Sequence, residues 1–396
     1  MLKNLRILAV EQYGAGPFGT QFLADMGAEI IKVENRAQGG DVGRSVGPAW
    51  MDAGDDSARS VFFQGFNRGK KSITLDLQHP LGKAAFLKVL ADCDAVMSNL
   101  RGDVADKLGL TYGVLGKTHP HIVCAHLTGY GREGARAHWP GYDFLMQAET
   151  GYFSLTGEPG SAPARAGLSL VDLMTGSVLG MALLAGVLSA RESGLGRDVD
   201  VSLFDLALYN LNYVGNWYLN QQIETTRLPR SAHASLTPCQ SYKTADGWIY
   251  LMCNKEKFWR ALCQRVDRAQ WIADPRFLSF PLRLAHRDLL TRLIDEALSV
   301  RTTAAWMDEF QGRVPAAPIL DVKQALENPW VRETDRTETL DISDTARFTY
   351  VAPPIRYAGR EKVGGAPALG EHTDEVLLRA GLHPQDIASL RRQGVV

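Results

Sequence analysis

Five short apolar runs, at residues 6–10, 29–33, 72–77, 95–98 and 122–127, are separated by stretches with helical periodicity such as 16–26 and 82–91. Strand-length runs that alternate with helix-length segments argue for successive βαβ units and a parallel, doubly wound sheet. The expected fold class is therefore α/β, and any binding chemistry is expected in the turns between strands and helices.

The first such turn tests whether this Rossmann-like half binds a dinucleotide. Gly14-Ala15-Gly16-Pro17-Phe18-Gly19 has the spacing G-x-G-x-x-G. Pro17 interrupts it, however, and no acidic ribose ligand is well placed, so it reads as a Gly/Pro turn that opens a helix and turns backbone N–H groups toward a ligand.

Further along, residues 175–191 are apolar nearly all round and rich in small side chains, and charged residues follow at once. A tightly buried helix is expected rather than a membrane span. A strand is expected over 198–201 and an aromatic-rich helix over 203–221. Composition then changes: residues 242–252 suggest two strands about a turn at Asp246-Gly247, among several Trp residues and amphipathic helices, as in a smaller α+β domain. The expected organisation is a large domain over 1–200, a linker helix over 201–229, a small domain over 230–313, and a linker from residue 314 that returns the chain to the large domain through 396.

At 396 residues, with 45% hydrophobic and 22% charged residues, the chain is an ordinary multidomain globular protein. A formal net charge of −1 without a long basic run provides no broad field for nucleic acid. The five cysteines, Cys93, Cys124, Cys239, Cys253 and Cys263, form no CxxC pair, which argues against a disulfide framework or a metal site. The apolar run at 7–10 is too short for a signal segment, so a cytoplasmic protein without membrane association is expected.

A series of motifs then runs through the chain in fixed order: Gly16-Pro17; Asp25-Met26-Gly27-Ala28-Glu29-Ile30-Ile31-Lys32-Val33-Glu34; Gly40-Asp41-Val42-Gly43-Arg44; Asn67-Arg68-Gly69-Lys70-Lys71-Ser72; Ser98-Asn99-Leu100-Arg101; Lys107-Leu108-Gly109; Gly141-Tyr142-Asp143; Leu170-Val171-Asp172-Leu173-Met174-Thr175-Gly176; and Leu369-Gly370-Glu371-His372-Thr373. Taken together the series resembles the class III CoA-transferases, the CaiB/BaiF family that includes formyl-CoA transferase. The resemblance implies a large domain built jointly from N- and C-terminal segments, and a homodimer of two ring-shaped subunits threaded through each other. It also implies an active site between domains, with coenzyme A as a substrate and no tightly bound cofactor.

The same resemblance assigns roles. Asp172 matches the nucleophile, whose carboxylate attacks an acyl-CoA thioester to give an anhydride and then an aspartyl-CoA thioester. Taken alone, Asp172 reads as the N-cap of the long apolar helix, a position that favours an ionised carboxylate. Tyr13, Gly14 and Ala15 match positions at the acyl group or oxyanion. Tyr142 and Asp143 match positions facing the acyl group. Racemases of the family carry histidine where this chain has Tyr142, and tyrosine, with its ordinary pKa of about 10, is a poor base.

For the coenzyme, the matching positions are Asn35, Arg36, Leu75, Gln78, Asn99, Leu100, Arg101 and Lys107. Asn35 and Gln78 depart from the family's usual arginine and lysine, which shifts the expected phosphate contacts to Arg36 or Arg44. A glycine-run lid found in oxalate-specific members is replaced by residues 231–241, with His233, Thr237 and Gln240 as polar candidates, so oxalate is not the expected acceptor. Short polar or dicarboxylic acids are expected, with Arg165 and Arg36 to pair a second carboxylate. A carnitine-type substrate, caged by Trp217, Tyr218 and Tyr242, is the alternative.

Overall fold

The computed structural model describes residues 1–52, 58–343 and 346–396. Its chain divides into two compact units. The first comprises residues 1–150, 167–212 and 334–396, and the second comprises 151–166 and 213–333.

In the first unit the five apolar runs and the 198–201 segment form one six-stranded sheet: β1 (Arg6–Val10), β2 (Glu29–Glu34), β3 (Lys71–Thr74), β4 (Ala95–Ser98), β5 (Val123–Thr128) and β6 (Arg197–Ser202). Every pairing is parallel, in the order β3-β2-β1-β4-β5-β6. Strands β1, β4 and β5 are almost wholly buried, which explains their continuous rather than alternating apolar sequence. One face is covered by α2 (Pro80–Leu90) together with the chain's last segment, whose Val376, Leu377, Ile387 and Leu390 share a core with Leu8, Ile31, Ile73 and Phe86. Sequence ends far apart in the chain thus build one layer.

On the sheet's other side lie α1 (Ala15–Asp25) and the long helix α5 (Leu170–Ser193); α3 (Gly102–Lys107) and α4 (Asp143–Glu149) come between them along the chain and α6 (Leu203–Tyr209) follows. Helix α5 is long and apolar enough to cross a membrane by length and composition. Its buried stripe, including Val171, Thr175, Leu179, Leu183 and Val187, packs on α1, β5 and β6. Small residues set that packing: a Cβ on Gly19 would lie 2.4 Å from the Gly176 carbonyl oxygen, and one on Gly176 would lie 2.3 Å from that of Ala15. Of the glycines in the G-x-G-x-x-G stretch, Gly19 therefore serves helix–helix contact, while Gly16 abuts the Asn99 side chain and Gly14 the Asp172 carboxylate.

The second unit holds an antiparallel sheet of β7 (Cys239–Lys243), β8 (Trp248–Met252) and β9 (Ala316–Pro318) around a core with Trp259, Trp271, Trp306 and Phe310. Two expectations need correction here. Residues 314–320 are not a linker to the large domain, because Ala316–Pro318 pairs with β8 and the unit runs on to residue 333. The 203–221 helix is two helices, α6 and α7 (Asn212–Gln221), broken where Asn212 takes a left-handed φ of 42°. Residues 151–166 also belong to this unit, held by Arg227 to the carbonyls of Phe153 and Ser161 at 2.7 Å each.

Candidate active site

The strand order reverses between β1 and β4, and the crevice outside their carboxyl ends is where an open α/β sheet binds ligands. Two adjoining cavities lie there, both within the first unit. The inner one, about 570 Å³, is bounded by Gln12 to Ala15, by Asn99 to Arg101, by Gly141 and Tyr142, and by Asp172. The outer one, about 240 Å³, lies over Asn35, Leu75 and Gln78. Gln12, Leu100 and Val104 line both, so the two form a continuous groove.

The turn after β1 is fixed from three sides. Asn99 grips the Gln12 backbone twice, accepting its N–H at 2.8 Å and donating to its carbonyl at 2.7 Å. Tyr13 sits at a φ of 67° and donates its N–H to Asp41 Oδ1 at 2.8 Å. Asp41 in turn pairs at 2.7 Å with Lys32, whose Nζ also donates to the Glu11 carbonyl at 2.9 Å, and Lys70 pairs with Glu11 at 2.7 Å. Buried charges paired this fully hold a strained backbone in one state. The sequence reading missed this network, although a lysine inside the apolar run Ile30-Ile31-Lys32-Val33 was its visible sign.

Asp172 is not the N-cap of α5; that residue is Ser169, and Asp172 is the third residue of the helix. Its side chain is buried at 7% exposure, beside Gly14, where an added Cβ would stand 3.1 Å from Oδ2. Among the described residues nothing donates a hydrogen bond to either carboxylate oxygen. Its backbone N–H donates to Asp143 Oδ2 at 2.9 Å, while Asp143 Oδ1 accepts from Gln147 Nε2 at 2.6 Å. Burial first, and the Asp143 charge second, push the Asp172 carboxyl up to about 7. The expected acidifying effect of the helix N-terminus is thus overridden by desolvation.

A raised carboxyl pKa lowers stability as pH rises. Between the ordinary carboxylate value and about 7 the folded chain holds a proton that the unfolded chain has released, so stability falls across that window and the penalty is complete above 7. At 1.4 kcal/mol per pH unit it is of order ~4 kcal/mol. The Asp172→Asn protein is therefore expected to melt several degrees above wild type at pH 8, with the gap narrowing toward pH 5. Thermal melts across pH check this, and a gap that does not change with pH contradicts it.

The other expected residues divide clearly. Tyr142 is the exposed residue before α4 and lines the inner cavity, whereas Asp143 is buried behind Asp172 and does not face the cavity. It is the first residue of α4 and not a solvent-exposed loop carboxylate. Leu75 is buried in the wall of the outer cavity, Arg36 is exposed at the end of β2, and the Asn35 side chain accepts the Ala37 N–H at 2.9 Å. Arg44 is committed to Glu34 at 2.7 Å and to the Pro367 carbonyl, which leaves Arg36 as the more open of the two cations. Leu100 and Arg101 line the inner cavity; Lys107 lines neither and pairs with Asp103 at 2.6 Å.

In the second unit, Thr237 accepts from Arg287, Gln240 donates to Thr291, and His233 Nδ1 accepts the Ser235 and Leu236 N–H groups, so these candidates serve the unit's own structure. Tyr242 is fully buried in that unit's core, which removes it from the aromatic cage of the carnitine alternative. Arg36 lies in the first unit and Arg165 in the second.

With a carboxylate at the floor of a switch-point groove, the comparisons with known proteins agree. Residues 2–373 match CoA-transferase family III, and the chain belongs to that family. It is 33% identical to an acyl-CoA transferase of Fusarium pseudograminearum over 100% of this chain and 88% of that one. It is 31% identical to the succinyl-CoA:glutarate CoA-transferase of Mus musculus over 95% of this chain and 85% of that one. A CaiB/BaiF family protein from Brucella suis superposes with a TM-score of 0.81 at 27% identity, covering 95% of this chain and 98% of the other. The protein is an enzyme of the CoA-transferase type, acting on CoA thioesters and carboxylic acids.

Proposed function

We propose that this enzyme moves coenzyme A between an acyl-CoA and a short dicarboxylic or otherwise polar acid, through covalent intermediates on Asp172. The observation that carries the reading is the Asp172 carboxylate: buried, without a hydrogen-bond donor among the described residues, and set in the inner of two cavities that share Gln12, Leu100 and Val104. The mouse relative's name, a succinyl-CoA:glutarate CoA-transferase, supports dicarboxylic acids as the substrate class.

In this reading the carboxylate oxygen of Asp172 attacks the thioester carbonyl, a C–O bond forms, the C–S bond breaks, and CoA thiolate leaves. The thiolate then attacks the aspartyl carbonyl of the anhydride and releases the first acid as its carboxylate. The acceptor carboxylate attacks the resulting aspartyl-CoA thioester, and the expelled thiolate takes the acceptor acyl group, restoring Asp172. The N–H groups of Gly14 and Ala15, which find no partner in the first turn of α1, are placed to stabilise the tetrahedral oxyanions. Asp143 acts as a positioning residue, fixing the Asp172 backbone. The outer cavity, lined by Asn35 and Leu75, takes the adenosine end of CoA, with the exposed Arg36 next in the chain to Asn35. A cytoplasmic, interlocked homodimer belongs to the same proposal.

The test is intact-protein mass spectrometry after incubation with a panel of acyl-CoAs, with hydroxylamine trapping and peptide mapping. An adduct on Asp172 is expected. CoA binding without an adduct from any donor would sink the covalent reading.

A further inference from the structure

The chain leaves the sheet after β5 at Gly129 and returns before α4 at Gly141, where the two glycines touch. A Cβ on Gly141 would lie 2.3 Å from the Gly129 Cα, and one on Gly129 would lie 2.6 Å from the Gly141 Cα. Residues 130–140 are therefore a closed loop of the Ω kind. Its own side chains pack it. Tyr130 and Trp139 meet edge to face at 5.9 Å, with the Arg136 guanidinium 5.3 Å and 4.8 Å from the two ring centres. Glu149 of α4 accepts the Tyr130 hydroxyl at 2.8 Å and pairs with Arg136, while Arg132 pairs with Asp200 of β6 at 3.0 Å. At the start of α3, Gly102 lies so close that its Cβ would stand 2.3 Å from the Gly131 carbonyl oxygen.

A loop tied at its stem, to α4, to β6 and against α3 is a fixed wall rather than a moving lid. Trp139 and Pro140 form part of that wall in the cavity that holds Asp172. The transfer chemistry uses no indole, and the large side chain occupies room that a smaller one would leave to the ligand.

We propose that Trp139 is a specificity-determining residue, its braced indole restricting the acyl groups that reach Asp172 to compact ones. A wall that cannot yield discriminates by size, and each excluded methylene is worth roughly tenfold or more in a fitted pocket. The inference rests on the reading of Asp172 as the nucleophile, and the experiment separates the two. Initial rates of Asp172 acylation by butyryl-CoA and octanoyl-CoA, read by trapping and intact mass, need no acceptor acid. Trp139→Ala is expected to raise the octanoyl-to-butyryl ratio about tenfold or more, with Trp139→Phe in between. Equal factors on both donors would overturn the proposal, because a purely structural brace affects them alike. If the alanine protein does not fold, Trp139→Leu carries the same comparison. No Asp172 adduct on the wild-type protein from either donor or from succinyl-CoA would instead overturn the nucleophile reading, and this inference with it, whereas an adduct from succinyl-CoA alone would overturn this inference only.

Discussion

Replacing Asp172 with alanine is expected to lower CoA transfer by several orders of magnitude while leaving CoA binding within a few fold of wild type. The two effects separate because the groups differ. The proposed coenzyme contacts lie in the outer cavity around Leu75, whereas Asp172 lines the inner cavity, where the proposed cycle puts the reacting carbonyl. Every step of the proposed cycle forms or breaks a bond to its carboxyl group, so no partial route remains when that group is removed. Asparagine should do as much damage as alanine, since an amide oxygen at the same place is a poor nucleophile. The usual objection, that a dead variant has merely lost its fold, is met by the sign of the stability change. The carboxylate is a burden to the fold above neutral pH, and its neutral isostere should be more stable there. Paired steady-state transfer assays and CoA titrations check the expectation, and near-normal turnover in either variant contradicts the mechanism.

The same residue marks how far the sequence could be read. All six strands of the main sheet were legible, because each buried parallel strand writes itself as a local apolar run. The place of Asp172 in the motif series was legible too. Its electrostatics were not, since they depend on the burial of the side chain and on Asp143, which is 29 positions away and reaches it only through the turn that starts α4. Asp143 itself was expected at the acyl group, and its burial away from the cavity lining was illegible for the same reason. Asn99, expected at the coenzyme, lines the inner cavity, and the hold of its amide on the Gln12 backbone, 87 positions earlier, was not legible. Long-range pairing also explains the domain boundaries. No local signal in residues 314–320 reveals that Ala316–Pro318 will pair with Trp248–Met252, nor that Arg227 will draw residues 151–166 into the second unit.

The crossing of α1 and α5 is a tight long-range contact, and Gly176→Ala is expected to be destabilising by ~1–3 kcal/mol and to impair transfer. In an ordinary helix interior the change would favour folding by up to about 1 kcal/mol, since alanine is the better helix former. Here the new methyl would sit 2.3 Å from the Ala15 carbonyl oxygen. Backbone atoms on both sides leave no side chain to swing away, so the helices must separate. Helix α1 begins directly after the Tyr13-Gly14 turn, and Asp172 lies one helical turn before Gly176, so the same movement displaces the oxyanion donors from the nucleophile. Gly180 supplies the control one turn further along. Its added methyl would meet the nearest atom at 3.4 Å, an ordinary contact, so Gly180→Ala should be neutral or slightly stabilising and fully active. Denaturant unfolding of the two variants beside wild type, with transfer assays on the same preparations, decides the matter. Equal stabilities for the two would mean that the close crossing does not govern the geometry of the site.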